Sequence, residues 1–382
     1  MKMKRLILLL PLLWLAACNS QPSQANKQSE AEAEKVAIDL DADIGEMLLV
    51  GFRGISLDST EHIWRDLTHF HVGSVILFDY DAQSGQRGRN IRSPQQVQSL
   101  CRQLRRVSPD LLIGIDQEGG LVSRLHPRYG FPRVASHQKS ALDGTDSVRT
   151  AARMTAQMLR EAGINLNFAP VADVNVNKQC PIIGQLERSF SPSAEHVADC
   201  CRIWIEEQSK QGVASCLKHF PGHGSATGDT HKGLVDVSES WKELELIPYR
   251  ELVKEVPMVM TAHVINRQID PDGLPASLSP AITSYLRDTL GFQGVIVTDD
   301  MVMGAISNQY SFSTALRMAI TAGADMLCLS NNGSHYNAEL VPQTVRAIKQ
   351  MVKDGTVTPE RIHASAERIR ALKASLNKNK SK

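Results

Sequence analysis

Short apolar runs alternate with longer amphipathic segments along most of this 382-residue chain. The runs are almost continuously apolar, which is typical of parallel strands that are covered on both faces. Seven strands are predicted from about Leu40 onward, and an eighth is predicted near residues 47–52. The seven cover residues 74–78, 111–115, 165–168, 213–217, 258–262, 294–298 and 326–330.

Amphipathic helices are predicted between these strands. Ser93 and Pro94 mark one helix start, because serine caps a helix and proline suits its first turn. Repeated βα units predict an α/β fold of the TIM-type (β/α)8 barrel, as a single catalytic domain over residues 41–376. A doubly wound open sheet is the alternative, but no Gly-x-Gly-x-x-Gly motif follows the early strands. The helices are predicted at 94–107, 147–162, 194–211, 240–256, 279–290, 313–322, 342–354 and 359–376.

The N-terminus has the pattern of an export signal. Residues 1–17 are basic and then apolar, and the stretch is too short to span a membrane as a helix. The junction before Cys18 resembles the lipobox of bacterial lipoproteins, which predicts lipidation of Cys18, a flexible tether over residues 18–40 and a membrane anchor. An incidental cysteine at an ordinary cleavage site is the alternative. Asn19, by analogy with Gram-negative lipoproteins, indicates the cell envelope at the outer membrane, facing the periplasm or the surface.

The remaining composition limits partners and cross-links. The formal net charge is +1, so the whole molecule offers no general attraction for nucleic acid. We expect a monomer with a disordered tail at residues 377–382. Cys216 and Cys328 lie in apolar runs and are expected to be free thiols. Disulfides are conceivable among the other four cysteines, Cys101, Cys180, Cys200 and Cys201.

Polar side chains follow two of the predicted strands in acidic pairs. Asp116 and Glu118 lead into a diglycine turn, with Arg124 just beyond. Asp299 and Asp300 end a later strand, where adjacent side chains point to opposite faces. Only one of the latter pair can therefore point into a central pocket, and we choose Asp299. An aspartate there could attack an electrophilic carbon and form an ester.

The segment from Lys218 to His231 is predicted to be an active-site loop, because it combines titratable side chains with glycines at a strand end. Asp229 lies two residues before His231 and could orient that imidazole as a proton donor. Metal binding by His219, His223, Asp229 and His231 is the competing interpretation. Pro221 and Gly222 lie between His219 and His223 and exclude a regular helical ligand frame, so we expect no metal and no cofactor.

Four segments carry a family resemblance, and they occur in order within residues 42–350. They read Asp-Gln-Glu-Gly-Gly at 116–120, Lys-His-Phe-Pro-Gly-His-Gly at 218–224 with Asp-Thr-His at 229–231, Pro-Ala-Ser-Leu-Ser-Pro at 275–280, and Gly-Val-Ile-Val-Thr-Asp-Asp at 294–300. Together they resemble the β-N-acetylglucosaminidase branch of glycoside hydrolase family 3.

The resemblance implies a retaining exo-hydrolase that removes terminal β-linked N-acetylglucosamine from amino-sugar oligosaccharides, either peptidoglycan fragments or chito-oligosaccharides. It implies that Asp299 is the nucleophile, His231 the general acid/base and Asp229 its partner. The positions that would hold the sugar hydroxyls are Asp116, Arg124, Arg188, Lys218 and His219.

The chain departs from the family pattern at a few positions. Residues 185–187 intervene before Arg188, Leu121 stands where the family often has arginine, and Thr298 where it often has serine. A non-catalytic sugar-binding lipoprotein is the alternative from another class. A β-glucosidase, a phosphorylase and a metal-dependent amidohydrolase are the alternative enzymes.

Overall fold

A computed structural model describes residues 38–379 and shows a closed barrel of eight parallel strands. The sheet order is β7-β6-β5-β4-β3-β2-β1-β8, and a parallel bridge between Val297 and Met326 joins β7 to β8. This confirms the predicted (β/α)8 barrel and all eight predicted strands. The strands are β1 (Leu48–Gly51), β2 (Ser74–Leu77), β3 (Leu112–Ile115), β4 (Leu166–Asn167), β5 (Ala214–Phe220), β6 (Met258–Thr261), β7 (Val295–Thr298) and β8 (Leu327–Leu329).

Helices cover the outside of the barrel. Ser93 caps α3 as predicted, since its hydroxyl accepts the Gln96 N–H at 3.2 Å. The described helices are α1 (Leu40–Glu46), α2 (His62–His69), α3 (Pro94–Val107), α4 (His137–Leu142), α5 (Thr145–Ala162), α6 (Ala194–Lys210), α7 (Ile247–Leu252), α8 (Pro280–Ser284), α9 (Gly304–Ser307), α10 (Phe312–Ala322), α11 (Leu340–Lys353) and α12 (Pro359–Asn379).

The helix predicted at 240–256 is wrong in extent. Glu243–Leu246 form a 3₁₀ turn, and the α-helix covers only Ile247–Leu252. Pro248 explains the late start, because proline lacks an N–H and suits the first helical turn. Pro257 disfavours helical backbone at the residue before it, so a helix cannot readily continue to the predicted end. The helix predicted at 279–290 continues beyond α8 as a π-helical turn at Tyr285–Thr289.

The ends of the chain are described only in part. Helix α12 runs to Asn379, beyond the predicted start of the tail at residue 377, and residues 380–382 lie outside the described region. The predicted signal peptide at 1–17, Cys18 and most of the tether also lie outside it. Between residues 38 and 379, no helix is long and apolar enough to cross a membrane.

The six cysteines of the described chain are buried free thiols. This agrees with the expectation for Cys216 and Cys328, and it excludes disulfides among the other four in this structure. Cys101 is fully buried on α3, and burial raises the pKa of its thiol to about 12. These side chains therefore act as small apolar groups in the core.

Candidate active site

A pocket of about 340 Å³ lies at the carboxyl ends of the barrel strands, where active sites of this fold are built. Loops after several different strands contribute to its wall. The structure thus brings together side chains that are far apart in the sequence. Of the eight predicted catalytic and substrate-binding residues, seven line the pocket: Asp116, Arg124, Arg188, Lys218, His219, His231 and Asp299. The eighth, Asp229, holds one of these seven.

Lys218 occupies the floor of the pocket and pairs with two carboxylates. Its ammonium group lies 2.8 Å from Asp116 and 2.7 Å from Glu118, and only 2% of the side chain is exposed. Burial alone would lower the pKa of Lys218, but the two carboxylates outweigh it and raise that pKa. The lysine is therefore a fixed positive charge, and it can donate a hydrogen bond to a sugar hydroxyl.

Arg188 also lies at the floor of the pocket, where it forms a two-point ion pair with Glu118. Its Nε and Nη2 atoms donate to the two oxygens of Glu118 at 2.8 and 2.9 Å. Burial alone would raise the pKa of Glu118, but Arg188 and Lys218 hold it well below its usual range. Arg188 reaches the pocket although residues 185–187 intervene, and Glu187 accepts a hydrogen bond from Ser136 at 2.7 Å. Glu118 was not among the predicted site residues, although it lies two positions after Asp116.

His219 is oriented from behind by Asp173, a buried residue in the loop after β4. Its Nδ1 lies 2.6 Å from Asp173 Oδ2, and the other carboxylate oxygen accepts the backbone N–H groups of His219 and His223. Burial alone would raise the pKa of Asp173, but these groups, His219 first, lower it. The sequence contained only a weak signal for Asp173, which is an acid just beyond a predicted strand.

The loop after β5 is packed closely against its neighbours. A Cβ atom at Gly224 would lie 1.7 Å from the Val174 carbonyl oxygen, so only glycine fits there. The Gly224 N–H donates to Glu245 Oε2 at 3.1 Å, and the Trp241 indole donates to the Pro221 carbonyl at 3.0 Å. Burial raises the pKa of Glu245 to about 7. Lys218 and His219 belong to β5, so the predicted loop of residues 218–231 begins only after Phe220. The part of it that carries His223 and His231 is fixed by these interior contacts.

Asp299 and Asp300 have different environments, as expected for adjacent residues at a strand end. Asp299 accepts the Asp300 N–H at 2.8 Å. Burial alone would raise the pKa of Asp299, but His263, His219 and that N–H outweigh it and lower the pKa to about 2. The Asp300 carboxyl is instead bound by the hydroxyl and N–H of Ser330, and burial raises its pKa to about 6.

His263, two residues after the end of β6, supports this acidic pair. Its Nε2 lies 2.9 Å from the Asp300 carbonyl oxygen, which can only accept, so Nε2 carries the proton. Nδ1 lies 2.7 Å from the Ser277 hydroxyl. Burial lowers the pKa of His263, so a neutral ring that accepts from Ser277 satisfies both contacts.

His231 and Asp229 form a pair at the mouth of the pocket. Asp229 Oδ1 lies 2.8 Å from the imidazole Nδ1 and also accepts the His231 N–H at 2.9 Å. The pKa of Asp229 is lowered, because the hydrogen bonds from His231 outweigh partial burial. The His231 side chain is 63% exposed. Because the carboxylate can only accept, Nδ1 carries a proton and Nε2 is left to face a ligand.

The four side chains considered as metal ligands are His219, His223, Asp229 and His231, and three of them are engaged in the pairs described above. His219 is bound to Asp173 and His231 to Asp229, and the rings of His219 and His223 are 6.0 Å apart. Within residues 38–379, no group of three or more His, Cys, Asp and Glu side chains is arranged to hold a metal ion.

Comparison with known sequences gives similar proteins across most of the chain. Residues 39–372 match the glycosyl hydrolase family 3 N-terminal domain. A β-hexosaminidase of Pseudomonas aeruginosa is 33% identical over 290 residues, which are 74% of this chain and 82% of that protein. A β-hexosaminidase of Alkalilimnicola ehrlichii is 36% identical over 314 residues, which are 78% of this chain and 83% of that protein.

The chain is also similar to several solved structures. A glycoside hydrolase family 3 β-N-acetylglucosaminidase from a Paenibacillus species superposes with a TM-score of 0.80 and 34% identity. The match covers 89% of this chain but 63% of that larger one, so the present chain spans less than two thirds of its length. A β-N-acetylhexosaminidase from Beutenbergia cavernae gives a TM-score of 0.77 and 26% identity, and covers 89% of this chain and all of that one.

Proposed function

The chain belongs to glycoside hydrolase family 3, and we propose that it is a retaining exo-β-N-acetylhexosaminidase that hydrolyses terminal β-linked N-acetylglucosamine. The observation that carries this proposal is one pocket that contains an ionised carboxylate, Asp299, and a carboxylate-held imidazole, His231. Both similar proteins and similar structures support the activity.

The first half of the reaction needs a nucleophile and an acid. With a pKa of about 2, Asp299 is a carboxylate at neutral pH and can attack the anomeric carbon. As the new ester bond forms, the bond to the leaving oxygen breaks, and protonated His231 gives its Nε2 proton to that oxygen. The Nδ1 proton stays on the ring and is donated in a hydrogen bond to Asp229, whose carboxylate stabilises the imidazolium before transfer. The products are a glycosyl-aspartate and a free alcohol.

The second half reverses these roles with water. Neutral His231 takes a proton from water through Nε2 as the water oxygen attacks the anomeric carbon, and the ester to Asp299 breaks. Two displacements on one carbon retain the β configuration. Asp116, Arg188, Lys218 and His219 provide fixed polar groups at the floor for the sugar hydroxyls. Because they are already paired in the free protein, little reorganisation is needed on binding.

The test is hydrolysis of 4-nitrophenyl β-N-acetylglucosaminide and of the matching β-glucoside, with a chelator and without added phosphate. Cleavage of the N-acetyl substrate in preference to the glucoside is expected. Preference for the glucoside would contradict the proposal, a phosphate requirement would indicate a phosphorylase, and loss on chelation would indicate a metal enzyme. A folded protein that binds N-acetylglucosamine without turnover would favour the sugar-binding lipoprotein.

Asp299→Asn tests the nucleophile. The amide is nearly the same shape as the carboxylate but cannot form the ester, so we expect activity to fall by about 10⁴-fold or more, which is the scale of losing a catalytic group. Asp143→Asn is the matched control, because Asp143 is an exposed aspartate that pairs only with Lys139 near the end of α4. An Asp299→Asn protein that keeps wild-type turnover would exclude this role.

We also propose that Cys18 is lipidated and anchors the enzyme in the cell envelope at the outer membrane. The support is the sequence of residues 1–19 alone, since this segment lies outside the described structure. Cells fed labelled palmitate should incorporate it into the wild-type chain but not into Cys18→Ala, and membrane fractions should contain only the former. Equal labelling of the two chains would overturn the anchor.

A further inference from the structure

An aromatic side chain stands at the mouth of the pocket without a role in the mechanism above. Tyr80 lines the pocket and is 41% exposed. Four other large hydrophobic side chains are exposed between residues 38 and 379, and none of the four lines the pocket: Leu121, Leu142, Leu234 and Leu244. An exposed ring inside a ligand pocket offers apolar surface that a ligand could cover.

The ring is presented by a short hairpin that follows β2. Residues Tyr80–Asp81 pair with Gln86–Arg87 in antiparallel register. The Tyr80 carbonyl accepts from the Asn332 side chain at 3.0 Å, which ties the hairpin to the loop after β8. The Arg87 guanidinium lies over the Tyr80 ring, 5.9 Å from its centre, and is not among the residues that line the pocket.

The residue next to Tyr80 fixes the hairpin to the barrel rim. Asp81 accepts two hydrogen bonds from Arg53, at 2.8 and 2.9 Å, and one from Arg89 at 2.7 Å. Arg89 is buried and also donates to the carbonyl groups of Phe52 and Asn331. Hydrogen bonds from Arg53 lower the pKa of Asp81, so these pairs persist through the neutral range. The tyrosine is therefore held at the mouth by a rigid support.

Tyr80 and His231 reach the mouth from different sides. Their loops follow β2 and β5, which are three strands apart in the closed sheet of eight. The buried polar groups that suit the hydroxyls of the first sugar lie deeper, at the floor. In an exo-hydrolase, the leaving group extends outward from the proton donor toward solvent. It must therefore pass through the region that the exposed His231 and Tyr80 both border.

We propose that Tyr80 is a specificity-determining residue that binds a sugar ring in the leaving-group position. This inference rests on the proposed function. The axial hydrogens of a β-linked pyranose form an apolar face, and such a face can cover an exposed aromatic ring while the hydroxyls remain solvated. The subsite would select leaving groups that are themselves sugars over small leaving groups.

The test compares two substrates that share the first sugar. N,N′-diacetylchitobiose has a sugar as leaving group, whereas β-N-acetylglucosaminyl fluoride has a single atom there. For Tyr80→Ala we expect kcat/KM to fall about tenfold with the disaccharide, the scale of one lost aromatic contact, and to stay within about twofold with the fluoride. Tyr80→Phe keeps the ring and should stay within about twofold with both. Leu142→Ala, which removes a 78% exposed side chain remote from the pocket lining, is the matched control.

The two substrates separate the possible outcomes. Activity on the fluoride shows that the variant is folded and its first-sugar site intact, so an unchanged disaccharide reaction in Tyr80→Ala would overturn the inference. An equal loss with both substrates would also overturn it, because Tyr80 would then act on the first sugar or on the fold. A wild-type protein inert toward the fluoride would contradict the proposed function itself.

Discussion

At the scale of single residues, the exposure of His231 distinguishes it from the other histidines of the site. His219, His223 and His263 are buried, whereas 63% of the His231 side chain is accessible. Burial lowers the pKa of His263, and it lowers the pKa of His223 to about 4. An exposed imidazole beside the carboxylate of Asp229 can instead gain and lose a proton at each turnover.

We therefore expect His231→Ala to impair substrates in proportion to the basicity of their leaving group. A sugar alkoxide needs a proton, so the disaccharide rate should fall by about 10²–10⁴-fold, the range for losing general acid catalysis. The 2,4-dinitrophenolate group leaves without protonation, so the rate of the glycosylation step with its glycoside should change by less than about tenfold. The measurement is kcat/KM, which reports the glycosylation step, for the disaccharide and for a series of aryl glycosides.

Asp229→Asn serves as the companion variant, since it keeps the shape of the pair but removes its charge. It should show the same leaving-group dependence with a smaller loss. A His231→Ala protein whose losses are equal for all leaving groups would argue that the histidine only binds substrate.

At the scale of elements, the β5 loop depends on a carboxyl beneath it. Glu245 is buried, accepts the Gly224 N–H, and has a pKa raised to about 7 by burial. The usual pKa of glutamate is about 4.3. Between these values the folded protein keeps a proton that the unfolded chain has released. Ionisable groups of this kind lower the free energy of unfolding as pH rises, by up to about 1.4 kcal/mol for each pH unit in this window.

Glu245→Gln removes this titration while keeping an acceptor for Gly224. The free energy of unfolding of the variant minus that of wild type should therefore rise by about 2 kcal/mol or more from pH 5 to pH 8. Urea unfolding at both pH values measures the change. Glu243→Gln, two residues earlier and exposed beside Arg250, should show a constant difference from wild type. A constant difference for Glu245→Gln as well would contradict the raised pKa.

The elements also show what the sequence could and could not predict. The strands were predictable because both faces of each are covered, which leaves a run of apolar residues. The 240–256 helix was overextended because its helical pattern outweighed the local effects of Pro248 and Pro257. Asp116 follows an apolar strand and Lys218 lies near the end of one, so both could be found. Glu118 and Asp173 function through long-range partners, Arg188 and His219. Tyr80 carried no sequence signal, since its exposure depends on the folded hairpin.

At the scale of the whole molecule, the active site and the contacts between the first and last helices, α1 and α12, lie at opposite ends of the barrel. Helix α12 buries Ile362, Ile369 and Leu372. Its Arg370 donates to Asp43 of α1 at 2.6 Å, which links the two ends of the described chain. Catalytic groups lie at the carboxyl ends of the strands, so changes at the other end should affect stability more than chemistry.

Asp325 provides the sharpest test of this division, because its fully buried carboxylate lies just before β8. It accepts the Ile296 N–H of β7 at 2.9 Å and Arg368 of α12 at 3.1 Å, and it also pairs with Arg287. Asp325→Ala would leave the arginines without their shared counter-charge, so we expect a loss of about 3–5 kcal/mol in the free energy of unfolding. The protein that remains folded at low temperature should keep kcat/KM within about twofold.

Urea unfolding and turnover at 10 °C measure the two quantities separately. Asp354→Ala is the control, because Asp354 is an exposed aspartate at the end of α11 and its removal should change stability by about 0.5 kcal/mol at most. If Asp325→Ala lowered kcat/KM as strongly as it lowered stability, the two ends of the barrel would be coupled, and the β7–β8 closure would have to transmit strain to Asp299. Unchanged turnover with reduced stability is the result that the architecture requires, since Asp325 and Asp299 lie at opposite ends of neighbouring strands.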